Sequence, residues 1–283
     1  MVKLYGPGKA PGSESWALPE TTAARPDGRA ITYNVVSPEY SVHLPAAAQA
    51  TGTAVIILPG GGLRQLGDDA ELVRRFNAAG VAVFRLKYRV LQLPPPAPAP
   101  SPAAPASGQS PQPEFPALAI HHANANPAPD DPALTRVLDL AVEDARTALR
   151  LIRGQAAQYG IDPNRIGMLG TSAGGGVAIG ALLRRGNEPG PAFLVSVYGP
   201  SLIDVAVPTD APPLFIAVEA GHGPVTDGLF ALDALWRQAG RHSELHVFDV
   251  PAFQMKPDMW FTRMQGWLAE RGFGKPATPG KQP

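Results

Sequence analysis

The stretch RIGMLGTSAGGGVAIGALL, residues 165–183, decides the reading of this chain. Its first half is short and apolar, as a strand covered on both faces should be. Its second half is an apolar run long enough for a helix. Between them lies Gly170-Thr171-Ser172-Ala173-Gly174, a G-x-S-x-G pattern. A chain that turns this sharply from strand to helix forces the serine into a strained backbone conformation, a nucleophile elbow that thrusts its Oγ out of the sheet. Glycines two residues to either side let strand and helix approach without Cβ clashes. The serine also lies at a helix N-terminus, where free N–H groups and the positive dipole end favour a developing anion. Ser172 is therefore the first candidate catalytic residue.

Working outward, strand and helix patterns alternate on both sides. Strands are expected at 53–58, 81–88, 165–169, 193–198, 214–218 and 244–250. Helices are expected at 68–79, 173–184, 226–239 and 258–271. Leu138, Ala141, Val142, Ala145, Leu149 and Ile152 fall at helical spacing on one further face. Residues 31–36 and 40–44 read as an edge hairpin. Alternation of this kind implies an α/β fold with a mostly parallel central sheet and helices on both faces. The length of 283 residues suits a single domain over 1–283. Thirteen of the 33 prolines fall between Pro94 and Pro132. Residues 91–135 therefore read as a Pro-rich insertion, a lid or mobile loop within the domain, since proline breaks both helix and central strand.

Composition removes several function classes. Lys plus Arg and Asp plus Glu are each 24, so the formal net charge is zero. Proteins of nucleic acids or membrane surfaces usually carry a basic excess, so neither partner is expected. With no cysteine there is no thiol nucleophile, disulfide or thiolate metal site. No apolar run is long enough to span a membrane, and the first residues lack a leader pattern. A cytoplasmic location is the expectation unless a leader has been removed.

A second glycine cluster, Pro59-Gly60-Gly61-Gly62-Leu63, follows the strand at 53–58. Gly60-x-Gly62 lacks the third glycine of a dinucleotide loop, and 170–176 lacks the lysine of a phosphate loop. Neither is a nucleotide site. Placed before the elbow in this order, the first cluster suits an oxyanion hole. Its glycines would leave one or two backbone N–H donors with no Cβ in the way of a carbonyl, and Ala173 N–H would give another.

The segments LYGPGKAPGS (4–13), ILPGGGL (57–63), FRLKYRV (84–90), YGIDPNRIGMLGTSAGG (159–175) and ELHVF (244–248) together resemble the bacterial acetylxylan and feruloyl esterase-like branch of the α/β-hydrolases, related to the dienelactone hydrolases. The likeness covers nearly the whole chain outside the Pro-rich insertion. It implies an α/β-hydrolase fold, a Ser–His–acid triad, no cofactor, and a small acyl or acetyl ester as substrate. By resemblance Ser172 matches the family's nucleophile, with Gly61, Gly62 and Ala173 around its oxyanion hole.

Two triad positions depart from that pattern. The family's acid follows the strand here written PPLFIAVEA, and the matching position holds His222. Its histidine follows the last strand, where this chain has Asp249-Val250-Pro251-Ala252-Phe253-Gln254-Met255, without histidine. A serine hydroxyl is a poor nucleophile without a positioned base. His222 is the leading candidate base, on a loop at the C-terminal edge of the sheet. Its acid partner could be Asp204, Glu219, Asp227 or Asp249. His121 and His122, at the apolar end of the insertion, are the next candidate bases. His246 reads as a strand residue facing solvent or a helix, and His43 and His242 as surface residues. No histidine spacing suggests a metal site.

Other residues read as scaffold. Asp144 suits a structural hydrogen bond, and Arg85, Lys87 and Arg89 suit solvation or pairing with acids. Trp260, Phe261, Met264 and Trp267 suit packing, although Phe253, Met255 and Trp260 also suit the wall of an acyl pocket. Two functions stay open. One is a serine esterase with a relocated base. The other is an α/β-hydrolase-fold ligand-binding protein that has lost turnover.

Overall fold

The structure, a computed structural model, describes residues 1–6, 10–25, 28–94 and 120–274. Its strands are β1 (Val2–Lys3), β2 (Thr21–Ala24), β3 (Ala30–Tyr33), β4 (Glu39–His43), β5 (Ala54–Leu58), β6 (Gln65–Leu66), β7 (Ala82–Lys87), β8 (Ile166–Thr171), β9 (Leu194–Val197), β10 (Leu214–Gly221) and β11 (Ser243–Pro251). Its helices are α1 (Ala70–Ala78), α2 (Pro132–Gly154), α3 (Ala156–Tyr159), α4 (Ala173–Leu183), α5 (Pro224–Gln238) and α6 (Pro257–Glu270).

The main sheet has eight strands in the order β1-β4-β7-β5-β8-β9-β10-β11. From β7 to β11 neighbouring strands run parallel, while β1 and β4 are antiparallel to their neighbours. Side chains alternate between the two faces, as the period of a strand requires. Ala54, Ile56 and Leu58 of β5 pack with α2, α4 and α5, while Val55 and Ile57 pack with α1 and α6. In β10 the same split puts Leu214, Ile216 and Val218 on one face and Phe215 and Ala217 on the other. This double covering explains the unbroken apolar runs in the sequence. Trp260, Phe261, Met264 and Trp267 lie in the second of these cores.

The expected hairpin at 31–44 does not form. Strand β3 pairs with β2 and β6 in a separate three-stranded sheet, and β4 joins the main sheet beside β7. Asn34, at φ 54°, turns the chain from one sheet to the other, and its Oδ1 accepts from Leu93 N at 2.8 Å. Asparagine tolerates that left-handed conformation better than most residues.

Of the insertion expected at 91–135, residues 95–119 lie outside the described residues. Its last four residues belong to α2. Asp131 caps that helix by accepting from Ala133 N (2.9 Å) and Leu134 N (3.2 Å), and Pro132 takes the first helical position, where no N–H is required. Helix α5 likewise starts at Pro224 rather than at Thr226.

A buried ion pair ties three segments together. Arg89, just after β7, donates from Nε (3.0 Å) and Nη2 (2.7 Å) to Asp144 in the middle of α2. Asp144 also accepts from Arg89 N and from Tyr5 Oη at 2.8 Å. Arg89 is 1% exposed and Asp144 is fully buried. Burial pushes the Asp144 carboxyl upward while the guanidinium pulls it back. Removing one partner of such a pair leaves a buried charge uncompensated. Asp144→Ala is therefore expected to cost about 3–5 kcal/mol, read as a lower urea midpoint at unchanged m-value. A loss below about 1 kcal/mol, the range of an exposed pair, would show that the pair does not hold α2 in place.

Candidate active site

The order β7-β5-β8 contains a switch. The chain leaves β5 to one side for β7 and returns on the other side as β8. Crevices at such points, at the carboxyl ends of the strands, are where sites form in open α/β sheets. The two glycine clusters follow β5 and β8. Ser172 follows β8 directly, at φ 51° and ψ −129°, a region that costs a non-glycine residue about 1–3 kcal/mol. Its N–H donates to Val197 O (3.0 Å) and its carbonyl accepts from Gly175 N (2.8 Å). A Cβ on Gly170 would lie 2.2 Å from Gly174 O, and one on Gly174 would lie 2.1 Å from Leu58 O. The strand, the helix and the end of β5 are thus in backbone contact.

The loop after β5 presses on the same spot. A Cβ on Gly60 would lie 2.9 Å from Thr171 O and 3.1 Å from Ser172 Cβ. Gly61, at φ 140°, has no room for a side chain because Gln65 O would lie 2.0 Å away. Gly62 has φ 63° and open space beside it. Tyr88 Oη donates to Pro59 O (2.5 Å), and Leu91 N donates to Leu63 O (2.7 Å), which fixes the loop. Gly62, Ala173 and Ser172 line one cavity of about 220 Å³. Gly61 instead faces a neighbouring hollow that also reaches Ser172.

His222 lines the same cavity as Ser172. It is 2% exposed, and its Nδ1 lies 2.9 Å from Oε2 of the fully buried Glu219. A carboxylate at that distance holds the hydrogen on Nδ1 and leaves Nε2 as the acceptor nitrogen. Both residues come from the end of β10. Its pairing with β11 slips between Glu219 and Gly221, where β11 carries one extra residue. Thr226 Oγ1 donates to Glu219 O (2.7 Å), so α5 braces the turn. The ring of Tyr198 lies 5.8 Å from that of His222, and Phe253 meets it edge-on at 4.6 Å. Phe253 sits in the segment after β11 where the family resemblance would put a histidine.

Residues 131–256 match a family model described as alpha/beta hydrolase fold. Solved structures agree. An acetyl ester-xyloside bifunctional hydrolase from Caldicellulosiruptor lactoaceticus superposes with TM-score 0.57 at 20% identity, over 85% of this chain and 90% of that one. Esterase 2 of Thermogutta terrifontis, phosphonylated by cyclosarin, does so with TM-score 0.57 at 16% identity, over 89% of this chain and 98% of that one. The chain has the α/β-hydrolase fold. A sequence comparison with curated proteins finds no significant match.

Within this hydrolase fold the other sequence candidates lie elsewhere. His121 and His122 are exposed and are not among the residues lining the Ser172 cavity. Their segment is pinned to the loop after β9 through Val205 N to His122 O (2.9 Å) and Ala125 N to Ser201 O (2.9 Å). Of the four candidate acids, Asp204 accepts from Asn124, Asp227 and Asp249 are exposed, and Glu219 is the one on His222. His246 stacks on Phe215 and meets Glu244, which Arg263 of α6 also holds. Among the described residues no group of three or more His, Asp or Glu could hold a metal ion.

Two kinds of surface meet at Ser172. The 220 Å³ cavity is walled by Leu63, Leu134, Leu138, Leu202 and Val225. On the other side are two hollows of about 410 and 470 Å³ that share Arg29, Asp68, Asp69 and Tyr198. Phe253, at φ 64° and 61% exposed, stands between them. Met255 and Trp260, expected in an acyl pocket, line the polar side instead. Burial pushes the Tyr198 hydroxyl up to about 12.

Asp69 is 8% exposed, and its Oδ2 has no hydrogen-bond donor. Arg85 Nε stands 3.8 Å away. Burial pushes the Asp69 carboxyl up to about 7, with Asp68 adding to the rise and Arg85 opposing it. Between about pH 4 and 7 the folded chain holds a proton that the unfolded chain releases, so this residue lowers stability as pH rises. Asp69→Asn is therefore expected to raise the Tm by a few degrees at pH 8 and to change it little at pH 4. An equal shift at both pH values would mean that the carboxylate charge is not the cause.

Proposed function

We propose that the protein is a serine carboxylic ester hydrolase acting on small-molecule esters, with Ser172 as nucleophile, His222 as general base and Glu219 as the acid that orients it. The observation that carries this reading is the cavity that joins a strained strand-to-helix serine to a buried histidine–carboxylate pair. Ser172 Oγ attacks the ester carbonyl while His222 Nε2 takes its proton. Glu219, held on Nδ1, keeps the ring in that tautomer and stabilises the imidazolium that forms. The tetrahedral oxyanion is met by backbone N–H groups of Ala173 and of the Gly61–Gly62 loop, which need no reorganisation at the moment of reaction. His222 then returns the proton to the departing alcohol, leaving an acyl-Ser172, and the same base activates the water that releases the acid.

The fold and the esterases among its structural neighbours support this reading, since the same nucleophile turn and glycine loop serve acyl transfer on this scaffold. The base and acid lie three residues apart on one turn, so the chemistry rests on the 219–222 segment rather than on the loop after β11.

Labelling with a fluorophosphonate probe tests the assignment without a guess at the substrate. Wild type is expected to be modified rapidly at Ser172. His222→Ala and Glu219→Gln are expected to slow both labelling and ester turnover by about 10²–10⁴, read on folded protein well below each variant's unfolding midpoint. Absence of labelling in the wild type, under conditions that label an ordinary esterase, would sink the enzyme reading and leave a binding protein on this scaffold. Full labelling of His222→Ala would move the base elsewhere.

A further inference from the structure

We infer that the cavity beside Ser172 takes an unsubstituted apolar acyl chain of about six to eight carbons, not an acetyl group, and that Leu138 sets the length it accepts. This rests on the ester-hydrolase reading above and names the substrate class of that same site. The volume is the first argument. An apolar cavity of about 150 Å³ admits benzene, and this one is about 220 Å³. An acetyl group would leave most of it empty, without contacts for its lining. A chain of six to eight carbons fills it.

The lining is the second argument. Leu134 and Leu138 come from α2 and Leu202 from the loop after β9, with Val225 at the start of α5. Leu138 is 2% exposed. Beyond Ser172 and His222, one polar side chain lines the cavity among the described residues, Asn126, and its Oδ1 already accepts from Ala128 N (3.0 Å). A chain bearing hydroxyl or charged groups would be stripped of water there with nothing to replace it.

The third argument assigns the cavity to the acyl side rather than the alcohol. After the first half-reaction the alcohol must leave and water must enter, while the acyl group stays. The polar side opens past exposed Arg25 and Arg29, which suits exchange with solvent. The apolar side has the buried Leu63, Leu134 and Leu138 in its wall, and the segment at Ala125 is held in place. Ala125 is pinned by Ser201 O, and a Cβ on Gly228 of α5 would lie 2.7 Å from Ala125 Cβ.

The test compares two esters of equal size and reversed polarity, ethyl hexanoate and hexyl acetate, alongside p-nitrophenyl esters from acetate to decanoate. The expected result is a kcat/KM at least about tenfold higher for ethyl hexanoate, with the p-nitrophenyl series peaking at six to eight carbons. Leu138→Trp is expected to move that peak to four carbons or fewer, and Leu138→Ala to lengthen it. Val225→Phe, on a different wall, should also shorten it and serves if the tryptophan variant does not fold. A peak at acetate, a preference for hexyl acetate, or a peak unmoved in every folded variant would overturn the proposal. If no ester is cleaved, the function assignment fails separately, and binding decides the cavity. Ligand-observed NMR should then show hexanamide binding to the wild type, acetamide not binding at the same concentration, and hexanamide binding lost in the folded tryptophan or phenylalanine variant. Equal binding of both amides, or of neither, would overturn the cavity assignment.

Discussion

The backbone contact among β5, β8 and α4 is the constraint on which the site depends. Carbonyls of Leu58 and Pro59 come so close to α4 that only glycine fits at 174, and the carbonyl of Gly174 in turn excludes a Cβ at 170. Held this way, Ser172 has no relaxed backbone conformation available and keeps φ 51°, at a cost of about 1–3 kcal/mol. Such strain persists only where its surroundings over-determine it. Here the surroundings are the two cores on the faces of the sheet, with α4 buried along nearly its whole length. The same close approach brings the Gly60–Gly62 loop against Ser172. One packing arrangement therefore fixes both the strained serine and the glycine loop beside it.

The histidine–carboxylate pair follows a different logic. A histidine and its acid usually have to be brought together from separate loops, and each loop must then be held in register. In this chain the turn at 219–222 carries both, so their relative placement is a local matter of that turn and one brace from Thr226. The loop after β11 is relieved of that duty, and Phe253 uses the space to pack on the imidazole. Glu219 is fully buried with Oε1 lacking a hydrogen-bond partner, so His222 carries much of the burden of keeping that carboxylate satisfied. Losing the histidine would therefore disturb the turn as well as the chemistry.

The parts of this architecture that repeat a local pattern are legible in the sequence. The doubly covered strands are written as apolar runs, α2 as a 3.6-residue stripe, and the turn at Ser172 as glycines two residues to either side. What depends on long-range pairing is not. Residues 31–44 look like a hairpin because both segments are strand-like, yet one turn at Asn34 sends them to different sheets. Glu219 is not distinguished in the sequence from Asp204, Asp227 or Asp249, because which carboxylate meets His222 depends on how the chain turns after β10. Period-two alternation carries no sign of how a strand ends. Phe253, Met255 and Trp260 looked alike as apolar side chains near the edge, and only tertiary packing separates the first from the other two.

Helix α2 links stability to specificity. Its N-terminal turn and the one after it supply Leu134 and Leu138 to the cavity wall, while Asp144, further along, is locked by Arg89 from the end of β7. The wall therefore cannot retreat without disturbing a buried ion pair whose partners are both almost fully desolvated. Such pairs add little net stability over an apolar equivalent, yet they penalise any arrangement in which they are broken. Arg89 and Asp144 thus set the position of α2 more than they add to its strength. Because Tyr5 and the carbonyl of Pro11 join the same cluster, the N-terminal segment is bound into that placement. The cavity beside Ser172 accordingly has one wall fixed by electrostatics at a distance and another by glycine packing at Ser172, and the shape of the proposed acyl site is set by the side chains that fill the space between them.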